Sequence, residues 1–190
     1  MTLRLDLLRH GETEQGGGLR GSLDDALTPT GWQQMRDAVA ALSGWDRVVS
    51  SPLQRCARFA EELSARLSLP LQLEPDLQEL HFGDWEGVST AELMEADADG
   101  LGRFWENPYT FTPPNGEPVS TFSQRVHGAV RRLHGAYEGE RILLISHGGV
   151  MRLLLAQARG LPREHLLQVV VGHGDLIGVN VDADGALTEV

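Results

Sequence analysis

Apolar residues along this chain alternate between two spacings. Leu3 to Leu8 is a near-continuous apolar run, interrupted only by Arg4 and Asp6, and reads as a buried strand. Thr28-Pro29 then opens a helix through about Ser43, with Thr28 as N-cap and proline in the first turn. Trp32, Met35, Val39 and Leu42 give that helix an apolar face. Arg47 to Ser50, "RVVS", is a second short strand. Pro52 to about Leu67 is a helix that buries Leu53, Cys56, Ala60 and Leu63. Leu71 to Leu73 is a third strand. Thr121 to about Tyr137 is a helix, and Thr121 and Gln124 have the spacing of a capping box. "RILLIS", Arg141 to Ser146, has the apolar content of a buried parallel strand. A helix from Gly149 to about Ala158 and a strand from Leu176 to Val181 follow.

This alternation predicts an α/β fold: a three-layer α/β/α sandwich whose mostly parallel central sheet carries helices on both faces. A length of 190 residues suits a single domain over 1–190. From about 81 to 119 the rhythm breaks, and the segment is rich in Trp, Tyr, Phe and Pro. It reads as an irregular, lid-like insertion with one or two short helices. Sheets of this kind bind ligands beyond the carboxyl ends of their strands, so functional residues are expected just after strands.

Two histidines meet that expectation. His10 leaves the first strand in "LLRHGE", and His147 leaves Arg141–Ser146 in "LISHGG". Each precedes a glycine, which lets the backbone approach a ligand. Arg9 stands beside His10. A third strand end leads into "SSPLQR", where Arg55 lies about one helical turn in. Two histidines and two arginines around one point make an anion pocket, since the guanidinium fork suits phosphate oxygens. After the fourth strand end comes "LQELHFGDWEG". There Glu79 sits among apolar residues that favour a neutral carboxyl, as a general acid requires, and Glu86 and Asp84 compete for that role.

Composition narrows the chemistry. The formal net charge is −11, which argues against a nucleic-acid partner. All 16 basic residues are arginine, so a Walker lysine, a Schiff base and a lysine general base are excluded. The lone cysteine, Cys56, allows no internal disulfide and fits a cytoplasmic setting. Met1 to Leu8 lacks the apolar core of a signal peptide, and no stretch approaches the ~20 apolar residues of a membrane span. No histidine pair has H-x-H or H-x-x-x-H spacing, so no metal is expected. No cofactor is expected either. The run Gly16-Gly17-Gly18-Leu19-Arg20-Gly21 matches G-x-G-x-x-G, but it neither follows a strand directly nor opens a helix, as a dinucleotide fingerprint must. It reads instead as a flexible loop at the pocket mouth. A cysteine-phosphatase arrangement fails because Glu62 stands where arginine is needed after Cys56.

The blocks "LLRHGET", "LTPTG", "VVSSPLQRC", "LQELHFGDWEG", "PNGEPVSTFSQRV" and "LLISHGGVMRLLL" resemble the histidine phosphatase superfamily, which includes the cofactor-dependent phosphoglycerate mutases and many small-molecule phosphatases. They span Leu7 to Leu155 in the family's order. The resemblance implies that His10 is the nucleophile, that Arg9, Arg55, His147 and the Gly148 N–H bind the phosphoryl group, and that Glu79 is the proton donor. It implies a metal-independent phosphatase acting on a small-molecule phosphomonoester. A catalytically dead binding module is disfavoured because all five side chains are present. One departure stands out: Gly16 occupies the place where the family often has a phosphate-binding asparagine. Phosphoglycerate mutases carry a larger insertion than the 67 residues between Glu79 and His147, which favours hydrolysis.

Within the superfamily, the acidic block, "PPNGEPVSTFSQRV" and the compact length resemble the bacterial α-ribazole-5′-phosphate phosphatases of cobalamin nucleotide-loop assembly. Trp85, Trp105, Tyr109 and Phe111 would then offer a stacking surface for the base, or pack the insertion's own small core. A broad-specificity phosphatase is the alternative. His81, His127, His134, His165 and His173 receive no role, and the sequence gives no oligomeric state.

Overall fold

The computed structural model describes residues 1–190. In chain order, the first half holds β1 (Leu3–Arg9), α1 (Pro29–Val39), β2 (Arg47–Ser50), α2 (Gln54–Leu67) and β3 (Leu71–Leu73). The second half holds α3 (Thr90–Ala96), α4 (Ala98–Glu106), α5 (Val119–Tyr137), β4 (Arg141–Ser146), α6 (Gly148–Ala158), β5 (Leu176–Val181) and β6 (Leu187–Glu189). The six strands form one sheet in the order β3-β2-β4-β1-β5-β6. The pairs β3/β2, β2/β4 and β4/β1 are parallel, whereas β5 is antiparallel to both β1 and β6.

Strand alternation sorts the apolar side chains into two cores. Leu3, Leu5, Leu7, Val49, Ile142 and Leu144 point to one face, where they meet Val126 and Val130 of α5 and Leu154 of α6. Leu8, Val48, Leu143 and Ile145 point to the other, against Met35 of α1 and Phe59 and Leu63 of α2. The mostly parallel α/β/α sandwich expected from the sequence is therefore present.

Several element ends differ from expectation. Helix α1 stops at Val39, and Leu42, placed on its apolar face by spacing, lies beyond it and is exposed. Helix α2 starts at Gln54 because Leu53 is extended; its first N–H is capped from outside by the Asp24 carboxylate at 2.7 Å. Helix α5 starts at Val119 behind Pro118, whose fixed φ suits the turn, so Thr121 and Gln124 sit inside the helix and form no capping box. Thr28 does cap α1, accepting the Gly31 N–H at 3.0 Å. The three-residue β6, with Leu187 as its one buried residue, is too short to leave a pattern.

Register sets the site. Arg9 lies opposite Ser146, and Ser50 opposite Ile145, so β1, β4 and β2 end level at the centre of the sheet.

Deeper in β1, Asp6 is 1% exposed and carries a charge that must be answered. It accepts from Arg4 Nε at 2.9 Å, Trp45 Nε1 at 2.8 Å and Arg141 Nε at 2.9 Å. Burial alone would raise its carboxyl, but hydrogen bonds from Trp45, Arg4 and Arg141 outweigh that and hold it below its ordinary 3.8. A carboxyl depressed in the folded state adds stability above its unfolded value, and that stability is lost as pH falls through the folded value. Replacing Asp6 by Ala is expected to lower unfolding free energy at pH 7 by about 1–3 kcal/mol, because the Trp45 N–H and two partly exposed arginines lose a charged acceptor. In urea melts, the gap from the parent protein should narrow as pH drops below 3.8.

Candidate active site

The level strand ends place His10, Ser51 and His147 side by side. The His10 N–H donates to Ser146 O at 3.1 Å, and the Ser51 N–H to Ile145 O at 3.0 Å. Both imidazoles are buried, with centroids 5.3 Å apart and planes at 66°. His10 Nδ1 lies 2.8 Å from the carbonyl of Gly11. A carbonyl only accepts, so Nδ1 carries the proton and Nε2 keeps a free lone pair. His147 Nε2 is 2.8 Å from Ser51 Oγ, while its buried Nδ1 has no partner.

The glycine after His10 serves packing rather than ligand approach. A Cβ on Gly11 would fall 2.1 Å from Gly31 O at the start of α1. The glycines after His147 do face the site. Gly148 opens α6, so its N–H has no intrahelical acceptor. Gly149 leaves room for Glu79, whose Oε1 a Cβ would meet at 2.2 Å.

Arg55 is fully buried. Its Nη1 donates to Leu23 O and faces Asp25 at 3.6 Å; its Nη2 donates to Gly21 O at 2.9 Å; its Nε is unpartnered. Arg9 likewise anchors Nη1 on Val171 O at 2.6 Å and leaves Nε without a partner. Glu79 accepts the N–H of Gly149 at 2.9 Å and of Leu80 at 3.0 Å. Its two competitors are spent elsewhere. Glu86 accepts from Gly21 N, Leu23 N and Ser22 Oγ, and Asp84 from Asn115 Nδ2. Glu79 is the one of the three that lines the central cavity.

Electrostatics keep the imidazoles neutral. Burial, then the positive charge of Arg55, pushes His10 well below the ordinary histidine value of 6.5, with Arg9 and His173 adding to the effect. His147 is depressed for the same first two reasons, with His10 and Arg9 following. In the free protein His147 is therefore a neutral hydrogen-bonding group rather than a cation. The buried Cys56 thiol, pushed up to about 12 mainly by burial, packs on α2 as expected.

The cavity over these groups has a volume of about 240 Å³. His10, Arg9, Glu79, Arg20 and Arg152 line it together with apolar residues, among them Leu19, Phe82, Phe104, Trp105, Leu166 and Leu167; Arg55 and His147 are not among its lining residues.

The sequence profile of the histidine phosphatase superfamily (branch 1) matches residues 5–189. The chain belongs to the histidine phosphatase superfamily. It is a hydrolase of phosphoric monoesters. An adenosylcobalamin/alpha-ribazole phosphatase of Escherichia coli (strain K12) is 33% identical over 99% of this chain and 95% of its own. The crystal structure of the alpha-ribazole phosphatase from Shigella flexneri superposes with a TM-score of 0.85 at 32% identity, over 98% of this chain and 94% of that one. A glucosyl-3-phosphoglycerate phosphatase of Mycobacterium tuberculosis (strain CDC 1551 / Oshkosh) is 33% identical over 84% of this chain and 76% of its own.

This histidine phosphatase carries further groups at the site that sequence reasoning passed over. Arg20 lines the cavity from the glycine run, its Nη2 held by Gly16 O at 2.6 Å and its Nε 3.2 Å from Asp25. The run is thus a tied loop rather than a flexible one. Arg152 lies one turn into α6, donates Nε to Val169 O at 3.0 Å and lines the cavity; its place four residues after Gly148 was the available signal. His173, given no role, puts its ring 5.9 Å from that of His10. Of the four aromatic residues proposed for stacking, only Trp105 lines the cavity. Trp85 is buried, stacks on Phe111 and meets Phe104 edge-on, as part of the core beneath.

The neutral state of both histidines is open to measurement. In ¹⁵N-resolved NMR of the imidazoles, His10 and His147 should stay neutral below pH 6.5. Arg9→Met removes one of the positive charges acting on both rings, so both titrations should move up; no movement would refute the contribution of Arg9.

Proposed function

We propose that this histidine phosphatase hydrolyses its substrate through a phosphohistidine on His10, and that the preferred substrate is α-ribazole 5′-phosphate, dephosphorylated in cobalamin nucleotide-loop assembly. The observation that carries this reading is the mixed lining of the cavity: His10 with Arg9, and apolar side chains that include Trp105, Phe82 and Phe104. Such a cavity suits a phosphomonoester whose alcohol bears a planar, apolar base.

The chemistry follows from the free atoms. His10 Nε2 attacks phosphorus in line, forming the N–P bond as the P–O ester bond breaks. The dianion repels nucleophiles, so the work of catalysis is positioning and charge stabilisation. Arg9 Nε, Arg55 Nε, His147 Nδ1 and the Gly148 N–H are donors left unused by the fold, and they bind the equatorial oxygens. For His147 Nδ1 to donate to phosphate its proton must sit there, which makes Nε2 the acceptor of the Ser51 hydroxyl 2.8 Å away. Glu79 gives a proton to the leaving alkoxide. It then takes one from the water that attacks phosphohistidine, and inorganic phosphate and the free alcohol are released.

Arg20 and Arg152 favour a second reading. They are cations beyond those one phosphoryl group requires, and they would serve a substrate with another acidic group, as a broad-specificity phosphatase meets. Phosphate release from a substrate panel separates the two. α-Ribazole 5′-phosphate should exceed p-nitrophenyl phosphate and sugar phosphates in kcat/KM by at least about tenfold, a margin worth ~1.4 kcal/mol of transition-state binding. A flat profile supports the broad reading. His10→Ala should lower every activity by about 1,000-fold or more; full activity in that variant sinks the phosphohistidine route.

A further inference from the structure

Arg125 lies on α5, outside the central cavity, yet its guanidinium is committed to the loop that carries Glu79. Its Nη1 donates to Asp76 O and to Gln78 O, each at 2.8 Å. Its Nη2 donates to Glu79 O and to Glu117 Oε1, each at 2.9 Å, and its Nε to Glu117 Oε2 at 2.8 Å. Glu117, in turn, belongs to the far end of the aromatic-rich segment, and its N–H donates to His81 O at 2.8 Å. One planar fork therefore gathers three carbonyl oxygens and a carboxylate. Without it, the three carbonyls converge with no donor between them. Lysine cannot replace it, having one nitrogen where arginine has three on a rigid plane.

We propose that Arg125 is a positioning residue for Glu79. It fixes the backbone at Glu79 while the N–H groups of Leu80 and Gly149 fix the carboxyl, so the acid sits in register with the ester oxygen. Through Glu117, the same fork ties the position of the acid to the segment that supplies Phe104 and Trp105 to the cavity. This inference rests on the reading of Glu79 as the proton donor. Protonation matters in proportion to the basicity of the leaving group. A ribosyl alkoxide needs the proton, whereas p-nitrophenolate leaves without it.

The test is kcat/KM of the full chain on ribose 5-phosphate and α-ribazole 5′-phosphate against p-nitrophenyl phosphate, with thermal melts beside it. Arg125→Lys should lose about 10- to 100-fold on the alkyl phosphates, as small misplacements of a catalytic group do, and keep p-nitrophenyl phosphate within about threefold. Glu117→Gln leaves the carbonyl contacts and loosens the fork; it should show the same selective loss, smaller in size, and it carries the test if Arg125→Lys does not fold. Equal losses on both substrate types, or none on the alkyl phosphates, overturn the proposal. Glu79→Gln separates the two layers. If it keeps alkyl phosphate turnover, the proton-donor reading falls and the role of Arg125 with it. If it loses that turnover while the Arg125 and Glu117 variants do not, the positioning role alone is overturned.

Discussion

A fully buried arginine imposes the arrangement of this site. Arg55 cannot shed its charge, so each N–H must find an acceptor or be reserved for a ligand. The acceptors come from the loop before α1, the carbonyls of Leu23 and Gly21, and the Asp25 carboxylate of the same loop faces the guanidinium as a counter-charge at 3.6 Å. That loop is consequently wrapped over the strand ends, and Asp25 in turn holds Arg20 at the cavity wall. Glu86 fastens the same loop from the other side by accepting the N–H groups of Gly21 and Leu23. Nε is the one nitrogen of Arg55 without a partner, and the Arg55 charge acts on both His10 and His147.

The same economy recurs around the pocket. Arg9 spends Nη1 on Val171 O and keeps Nε. His10 spends Nδ1 on Gly11 O and keeps Nε2. His147 spends Nε2 on Ser51 and keeps Nδ1. Each side chain is held by a contact with the scaffold and keeps at least one nitrogen without a partner. Orientation is therefore fixed before substrate arrives, so little reorganisation is left for the reaction itself.

His10 and His147 were legible in the sequence because strand ends are marked by apolar runs, and the parallel register then brings them level. Arg55 was legible as a residue but not as a scaffold group, because its partners are backbone carbonyls, which have no sequence signature. For the acid, spacing left three carboxylates open. Tertiary contacts distinguish them: Glu86 and Asp84 are engaged with Ser22 and Asn115, and Glu79 lines the cavity. The aromatic residues show the opposite limit. Trp85 and Phe111 are as aromatic as Trp105, but which of them faces the cavity depends on how α3 and α4 pack, and no periodicity reports that across so irregular a segment. The start of α5 was misplaced for a local reason: a plausible cap in sequence loses to a proline that already fixes the turn.

The absence of lysine gives the electrostatics a particular character. Burial and neighbouring charge can neutralise a lysine, as they neutralise the histidines here, whereas an arginine stays charged and must be braced. Arg9 is depressed by burial and by Arg152, and Glu79 opposes the effect, yet it stays a cation. The pocket thus combines fixed positive charge with neutral imidazoles, and each condition sustains the other. Burial first, and then the arginines, hold His10 below its ordinary value, and the neutral rings add no further repulsion among the arginines. Under the proposed mechanism, a phosphate dianion entering this space meets unused donors and a free lone pair on His10 Nε2. The carbonyls that brace the arginines therefore contribute to the chemistry without touching the substrate.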